Sequence, residues 1–313
     1  MRRKGKPSKR LLRYVRKGYN FTFTKVPSQI FTMKPTLLLS CALTLLACHN
    51  DAGHTDSTTD SATQATQNAA TSMLKEETVS YSGDNTNMKG FVVYDQNKKA
   101  KRPGILVVHE WWGLNEYPKM RARKLAELGY VAMAADMYGD GKVLDNPADA
   151  GKTATPFYQH PDMTKARFDA ALAKLKSFPE VDTNNIAAVG YCFGGGVVIN
   201  MAKLGEDLKG VVSFHGSLVG VPVQKDKIRA KILVCHGAAD ELVKPEEVAT
   251  FKKQMDSAGV AYTFRQYPNA GHAFTNPAAT GLGEKFKMPI RYNGAADTAS
   301  WNEMKSFFAT IFR

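Results

Sequence analysis

Short apolar runs alternate with amphipathic stretches from about residue 77 to the C terminus. From Gly104 onward the runs are almost entirely Ile, Leu, Val and Ala, which is typical of strands covered by helices on both faces. The pattern predicts strands at 77–81, 90–94, 104–109, 130–135, 186–190, 210–214, 231–236 and 262–267. It predicts helices at 117–128, 163–178, 195–204, 245–257 and 298–312.

This alternation predicts an α/β fold for residues 73–313, with a doubly wound, mainly parallel sheet and an antiparallel hairpin formed by the first two strands. No internal repeat and no glycine-rich or proline-rich linker divides this region, so a single domain is expected. A hydrophobic content of 43% in 313 residues supplies a core without disulfides or metals. A disulfide miniprotein, a collagen-like fibre and a wholly disordered chain are therefore excluded.

The net charge of +13 would suggest a nucleic-acid or membrane binder if the charges were spread over the folded body. They are not, because residues 1–34 contain eleven Lys or Arg and no acid, and the rest of the chain carries only +2. No nucleic-acid partner is expected for the domain. A basic nucleic-acid-binding arm remains an alternative reading of the N-terminal segment alone.

The N-terminal segment predicts an exported protein. Residues 33–47 combine a positive start with a short apolar run and resemble a secretory signal peptide, and this run is too short to cross a bilayer as a helix of about 20 residues. Residues 1–32 are then a basic extension upstream of the expected true start. The tetrapeptide 45–48 (LLAC) resembles the lipobox of bacterial lipoproteins, which predicts lipidation of Cys48; cleavage elsewhere as an ordinary signal peptide is the alternative.

Residues 48–72 continue as a polar tether without large apolar side chains, a composition that cannot repay the entropy of ordering. Lipid, tether and domain together predict a periplasmic or cell-surface lipoprotein, anchored to a membrane through its N terminus. The outer membrane is preferred, because His49 and not an aspartate follows the anchor. The sequence does not indicate an oligomeric state.

Candidate chemistry centres on Cys192. A predicted strand leads into Gly190-Tyr191-Cys192-Phe193-Gly194 and then into a helix, the strand-turn-helix setting of a nucleophile elbow with cysteine in the usual serine place. Glycines flank the nucleophile in such a turn because side chains there would collide with neighbouring strands. A buried structural cysteine beside a glycine-rich packing contact is the alternative.

Two further side chains follow predicted strands at their carboxyl ends. Asp240 follows the strand 231–236, and His272 follows the strand 262–267. The order nucleophile, acid, base is that of the α/β-hydrolases, and open α/β folds place their sites at this edge of the sheet. We therefore expect the three side chains to converge there.

Four motifs together resemble the dienelactone hydrolase family over nearly the whole domain: Glu110 in H-E-x-x-G, Cys192 in G-x-C-x-G-G, Asp240 in H-G-x-x-D and His272 in G-H-x-F. The resemblance implies a Cys-His-Asp triad in an α/β-hydrolase fold that cleaves lactones or esters through a thioester acyl-enzyme. It also implies that Glu110 pairs with the cysteine at rest, and that the backbone N–H groups of Trp111 and Phe193 form the oxyanion hole.

The sequence departs from the founding members of that family near the histidine. Those members place an arginine soon after it to hold a substrate carboxylate, whereas this chain reads Phe274-Thr275-Asn276-Pro277 and has no arginine in 143–161. A chlorocatechol-pathway dienelactone and an intracellular catabolic role are therefore not expected. Trp112, Tyr138, Tyr191 and Phe274, together with Trp111, are candidates to line an aromatic pocket, with core packing as the alternative.

The remaining motifs indicate no cofactor and no metal. Gly194-Gly195-Gly196 lacks the spacing of a nucleotide-binding loop, and neither C-x-x-C nor H-E-x-x-H occurs. Cys235 is expected in the core, and His215, after the strand 210–214, has no role that the sequence reveals. Two rival functions stay open: a catalytically idle lipoprotein that binds a ligand or partner, and a thiol redox protein that uses Cys192 and Cys235.

Overall fold

The computed structural model describes residues 72–312, within a compact unit that begins at Thr71. The expected basic extension (1–32), signal peptide (33–47), anchor Cys48 and the tether up to residue 71 lie outside the described residues. Over the described range, no helix combines the length and apolar character needed to cross a membrane.

Eight strands form one sheet. They are Leu74–Gly83 (β1), Thr86–Asp95 (β2), Arg102–Val108 (β3), Val131–Ala135 (β4), Val181–Tyr191 (β5), Gly210–Phe214 (β6), Lys231–Gly237 (β7) and Tyr262–Tyr267 (β8), in the order β1-β2-β4-β3-β5-β6-β7-β8. β1 pairs antiparallel with β2, and β2 with β4, whereas all pairings from β4 to β8 are parallel. The predicted fold class is confirmed, including the N-terminal antiparallel hairpin.

Helices cover both faces of this sheet. They are Glu116–Glu127 (α1), Pro147–Gln159 (α2), Pro161–Lys176 (α3), Phe193–Leu204 (α4), Pro245–Ser257 (α5), Ala279–Phe286 (α6) and Gly294–Ile311 (α7). Leu125 of α1 and Phe308 of α7 share one core layer with Ile105, while Phe168 of α3 shares the other with Leu106. Successive residues of β3 thus enter opposite layers, which explains why the strand is continuously apolar.

Two helices were not predicted, and strands β1, β2 and β5 begin three to five residues before their predicted starts. Helix α2 contains Gly151 and Pro156, and the short α6 contains two glycines, so neither shows a strong helical pattern. Helix α2 begins because the Asn146 side chain accepts the N–H of Asp149 and a proline occupies its first turn. Strand β5 begins at Val181 and not at Ile186, with a register shift against β3 that a regular apolar pattern does not reveal.

The carboxyl ends of the central parallel strands lie along one edge of the sheet. β3, β5, β6, β7 and β8 lead there to Glu110, Cys192, His215, Asp240 and His272, respectively. The fold therefore brings to one edge side chains that are far apart in sequence.

Candidate active site

Cys192 is the single residue between β5 and α4, and its backbone has φ of +52° and ψ of −112°. This backbone conformation is strained for a residue with a side chain and is typical of a nucleophile elbow. A Cβ at Gly190 would collide with the Gly194 carbonyl, and a Cβ at Gly194 would collide with the Val108 carbonyl. The two flanking glycines are thus required by backbone contact, as the sequence pattern predicts.

The structure brings Cys192, His272 and Asp240 into hydrogen-bond contact. His272 Nε2 lies 3.1 Å from Cys192 Sγ, and His272 Nδ1 lies 2.9 Å from Asp240 Oδ2. The other carboxylate oxygen of Asp240 accepts the N–H groups of Leu242 at 2.8 Å and Val243 at 3.0 Å. Because the carboxylate of Asp240 accepts a hydrogen bond, His272 carries a proton on Nδ1, and its Nε2 faces the sulfur.

The charges of this group favour a protonated imidazole beside an ionised carboxylate. Burial opposes protonation of His272, but the adjacent Cys192 and Asp240 outweigh it and raise the pKa of the imidazole well above its usual range. Burial likewise opposes ionisation of Asp240, yet His272 and the two backbone N–H donors lower the pKa of its carboxyl. The site thus stabilises the imidazolium that forms when a thiol gives up its proton.

Glu110 is buried in the loop after β3, with 3% of its surface exposed. Its Oε2 accepts a 2.7 Å hydrogen bond from Asn276 Nδ2, and its Oε1 has no hydrogen-bond partner among the described residues. The family resemblance implies a contact with the thiol at rest; here Asn276 binds the carboxylate and His272 binds the thiol. Burial raises the pKa of Glu110 to about 7, although Asn276 partly opposes the shift.

Two backbone N–H groups at this edge have no partner among the described residues. Within residues 72–312, neither the Trp111 nor the Phe193 N–H has a hydrogen-bond acceptor. The next residue, Gly194, donates its N–H to the His109 carbonyl at 3.1 Å, which holds the start of α4 against the loop after β3. Both free donors therefore lie on adjoining, mutually fixed segments.

The aromatic residues predicted to line a pocket fall into two groups, one in contact with Trp111 and one in the core of the domain. The Tyr138 hydroxyl donates to the Trp111 carbonyl at 3.0 Å, and burial, with a smaller effect of the nearby sulfur of Cys192, raises the pKa of Tyr138 well above its usual range. Trp112 packs edge-to-face on Trp111 at 5.1 Å between ring centroids. Tyr191 and Phe274 are fully buried in the core layer under α1 and α7, so they contribute packing and no open pocket surface.

Several polar residues at the site were missed by sequence reasoning. His215 Nδ1 accepts the Cys192 N–H at 3.1 Å, and its Nε2 lies 2.7 Å from Thr275 Oγ1. Asn276 holds Glu110, and buried Arg121 bonds to the Thr275 carbonyl. The one sequence signal for them was position, since His215 follows β6 at the same sheet edge and residues 275 and 276 follow the histidine of the predicted triad.

Comparisons with known proteins identify the family of this chain. The model of the dienelactone hydrolase family matches residues 88–312. The chain belongs to the dienelactone hydrolase family. As a member, it is a carboxylic ester hydrolase with an α/β-hydrolase fold.

Relatives of the family cover most of this chain. It is 28% identical over 236 residues to Protein usf of Aquifex pyrophilus, which spans 74% of this chain and 96% of the relative. It is 29% identical over 241 residues to an Aquifex aeolicus protein whose name assigns it provisionally to the carboxymethylenebutenolidases, spanning 75% and 98%. A solved dienelactone hydrolase-like promiscuous phosphotriesterase from metagenomic libraries is 34% identical, with a TM-score of 0.71, and covers 76% of this chain and 98% of its own.

The two cysteines of the described domain are both free. Cys235 is buried in β7, where its sulfur lies 3.5 Å from the Tyr267 hydroxyl, and burial raises its thiol pKa to about 12. Among residues 72–312, no three His, Cys, Asp or Glu side chains are grouped so that they could hold a metal ion.

Proposed function

We propose that this protein hydrolyses uncharged carboxylic esters or lactones through a Cys192 nucleophile, a His272 base and an Asp240 that orients the base. The observation that carries the proposal is the pair of hydrogen bonds that joins the three side chains, 3.1 Å from sulfur to Nε2 and 2.9 Å from Nδ1 to the carboxylate. Their arrangement is that of a nucleophile, a general base and an orienting acid.

The reaction follows from these contacts. Sγ of Cys192 attacks the ester carbonyl carbon while its proton resides on His272 Nε2, and the C=O electron pair becomes an oxyanion. The tetrahedral intermediate then expels the alcohol, which takes the proton from Nε2, and leaves a thioester on Cys192. Water, deprotonated by the same nitrogen, attacks the thioester, and the acid and the free sulfur are released.

The unpartnered N–H groups of Trp111 and Phe193 are suited to receive the oxyanion. They belong to segments fixed by the Gly194 to His109 hydrogen bond, so little reorganisation is needed when the charge develops. Each preorganised donor of this kind contributes about 3 kcal/mol to barrier lowering in acyl transfer.

The charges around the sulfur favour an uncharged substrate. Asn276 is neutral and is already bonded to Glu110. The buried guanidinium of Arg121 is paired with Asp297 at 2.7 Å and bonded to the Thr275 carbonyl. The guanidinium of Arg121 is thus already engaged, and the ionised carboxylate of Asp240 would repel a substrate carboxylate.

The test is hydrolysis of p-nitrophenyl acetate by the wild type, Cys192→Ser, Cys192→Ala and the control Cys235→Ala. We expect p-nitrophenol release to fall at least 1000-fold in both Cys192 variants and to stay within threefold in the control. Mass spectrometry of the acid-quenched wild type should show an acetyl group on Cys192. Unchanged activity in Cys192→Ser and Cys192→Ala would overturn the proposal.

A second substrate class is favoured by the structural relative described as a promiscuous phosphotriesterase. An uncharged phosphotriester has a tetrahedral phosphorus atom and presents its phosphoryl oxygen to the same two N–H donors. The sulfur of Cys192 can attack the phosphorus and displace the aryloxide. Paraoxon should release one equivalent of p-nitrophenol per Cys192, followed by slower turnover as water cleaves the S–P bond. Release of p-nitrophenol by Cys192→Ala would contradict this assignment.

We further propose export and lipid anchoring at Cys48, on the sequence of residues 33–48 alone. Wild-type protein expressed in a bacterial host should partition into the detergent phase and incorporate labelled palmitate. Cys48→Ala should do neither, and labelled Cys48→Ala protein would contradict the proposal.

A further inference from the structure

The nucleophile is held through its backbone as well as its side chain. The N–H of Cys192 is shared between the Phe214 carbonyl at 3.0 Å, a partner in the sheet ladder, and His215 Nδ1 at 3.1 Å. His215 itself has φ of +42° and is 1% exposed. A positive φ is uncommon for a residue with a side chain, and at His215 it accompanies a hydrogen bond from the ring to the backbone of the nucleophile.

The hydrogen bonds of His215 define its tautomer. An imidazole nitrogen that accepts an N–H carries no proton, so the ring proton lies on Nε2 and is donated to Thr275 Oγ1 at 2.7 Å. Burial, assisted by the nearby positive charge on His272, lowers the pKa of His215 well below its usual range. His215 is therefore a neutral, oriented ring, packed edge-on to His272 with centroids 5.3 Å apart.

Thr275 is a fixed anchor for this ring. Its hydroxyl also shares a 2.6 Å hydrogen bond with the Tyr117 hydroxyl, and its carbonyl accepts from Arg121, which is paired with Asp297 of α7. Thr275 belongs to the same five-residue segment as His272, the base, and Asn276, which holds Glu110.

We propose that His215 is a positioning residue that ties the backbone of Cys192, through Thr275, to the segment that carries the base. The proposal rests on the function assigned to Cys192 and His272 above. It explains how two residues 80 positions apart keep their reacting atoms at 3.1 Å. Displacements of about 1 Å at reacting atoms cost on the order of 100-fold in rate, so the link matters for turnover more than for substrate binding.

The test compares His215→Phe, which loses both hydrogen bonds, with His215→Asn. The Asn side-chain oxygen can take the place of Nδ1, and Asn tolerates a positive φ. Thr275→Val removes the anchor and leaves His215 in place. His236→Phe is the matched control, because His236 is the penultimate residue of the neighbouring strand β7 and its ring packs against Phe264.

We expect kcat for p-nitrophenyl acetate to fall about 10- to 100-fold in His215→Phe and Thr275→Val, with KM changed less than about threefold. The kcat of His215→Asn should lie within about fivefold of the wild-type value. The kcat of the double variant His215→Phe/Thr275→Val should be no lower than that of either single variant. Rates are normalised to Cys192 that reacts with iodoacetamide, and melting temperatures are recorded for all variants.

The inference is overturned if kcat per reactive Cys192 stays within threefold of wild type in both His215→Phe and Thr275→Val. It is also overturned if Asn gives no recovery and the loss follows melting temperature in every variant, including His236→Phe. Ester hydrolysis that persists in Cys192→Ala would instead defeat the proposed function.

Discussion

Asn276 donates a 2.7 Å hydrogen bond to the buried carboxylate of Glu110. Burial outweighs this neutral donor and the smaller effects of the positive charges on His272 and Arg121, and it raises the pKa of Glu110 to about 7. A neutral carboxyl at this place is compatible with an uncharged substrate, and its ionisation is costly to the fold.

The first prediction concerns pH and stability in Glu110→Gln. An acid whose pKa is raised on folding binds more protons in the folded than in the unfolded state between pH 4.5 and about 7, so its ionisation destabilises the fold as pH rises through that window. Glu110→Gln removes this penalty, and we expect it to be more stable than wild type at pH 8, by on the order of 3 kcal/mol. Urea unfolding at pH 5 and pH 8 measures the difference, which should nearly vanish at pH 5; an equal difference at both values would contradict it.

Asp240→Asn removes the charge that stabilises the imidazolium and the acceptor that fixes the tautomer of His272. We expect kcat to fall about 1000- to 10,000-fold while the fold is retained. Steady-state kinetics on p-nitrophenyl acetate test this. The neighbouring exposed Glu241→Gln is the control and should remain within twofold; a tenfold or smaller loss in Asp240→Asn would remove Asp240 from its role.

Gly194→Ala should be strongly destabilising. The added Cβ would collide with the backbone carbonyls of Val108 and His109, and overpacking of this kind costs about 1–3 kcal/mol or more. Gly281→Ala in α6 is the matched control, because its Cβ would meet no atom within 4 Å and a helical alanine gains about 0.5–1 kcal/mol. Thermal unfolding of both variants compares them, and equal melting temperatures would contradict the contact argument.

Arg121→Met tests the contribution of the buried Arg121 side chain, which bonds to the Thr275 carbonyl, to stability. It leaves Asp297 without its 2.7 Å partner and removes the donor to the Thr275 carbonyl, so we expect a loss of about 3–5 kcal/mol. Arg123→Met on the same helix removes more exposed ion pairs and should cost no more than about 1 kcal/mol. Denaturant titrations that give the two variants equal stability would refute the distinction.

The sequence predicts those parts of the molecule that depend on local pattern. Continuous apolar runs located the strands of the parallel sheet, and the ends of β5, β7 and β8 placed Cys192, Asp240 and His272 at one edge. This worked because parallel strands share an edge for their carboxyl ends whatever their separation in sequence. Helix α2 was not predicted because its glycine and proline obscure the helical pattern and its start depends on capping by Asn146.

The partners of the site residues were not predictable in the same way. Asn276 and Glu110 are 166 positions apart, and His215 and Thr275 are 60 apart. No periodicity links such pairs, because each depends on how two loops meet after the sheet has formed. The motif that resembles the family marked Glu110, but only the folded geometry identifies Asn276 as the group that binds it.

The base reaches the site late in synthesis. A ribosome completes β1–β8 before it adds His272, and α7, whose Asp297 pairs with Arg121 under Thr275, is made later still. A nascent polypeptide therefore exposes its elbow cysteine without the imidazole that would activate it. A chain that ends before His272 should therefore lack the base, whereas one that ends between His272 and α7 keeps the base but loses the Asp297 that pairs with Arg121 under Thr275.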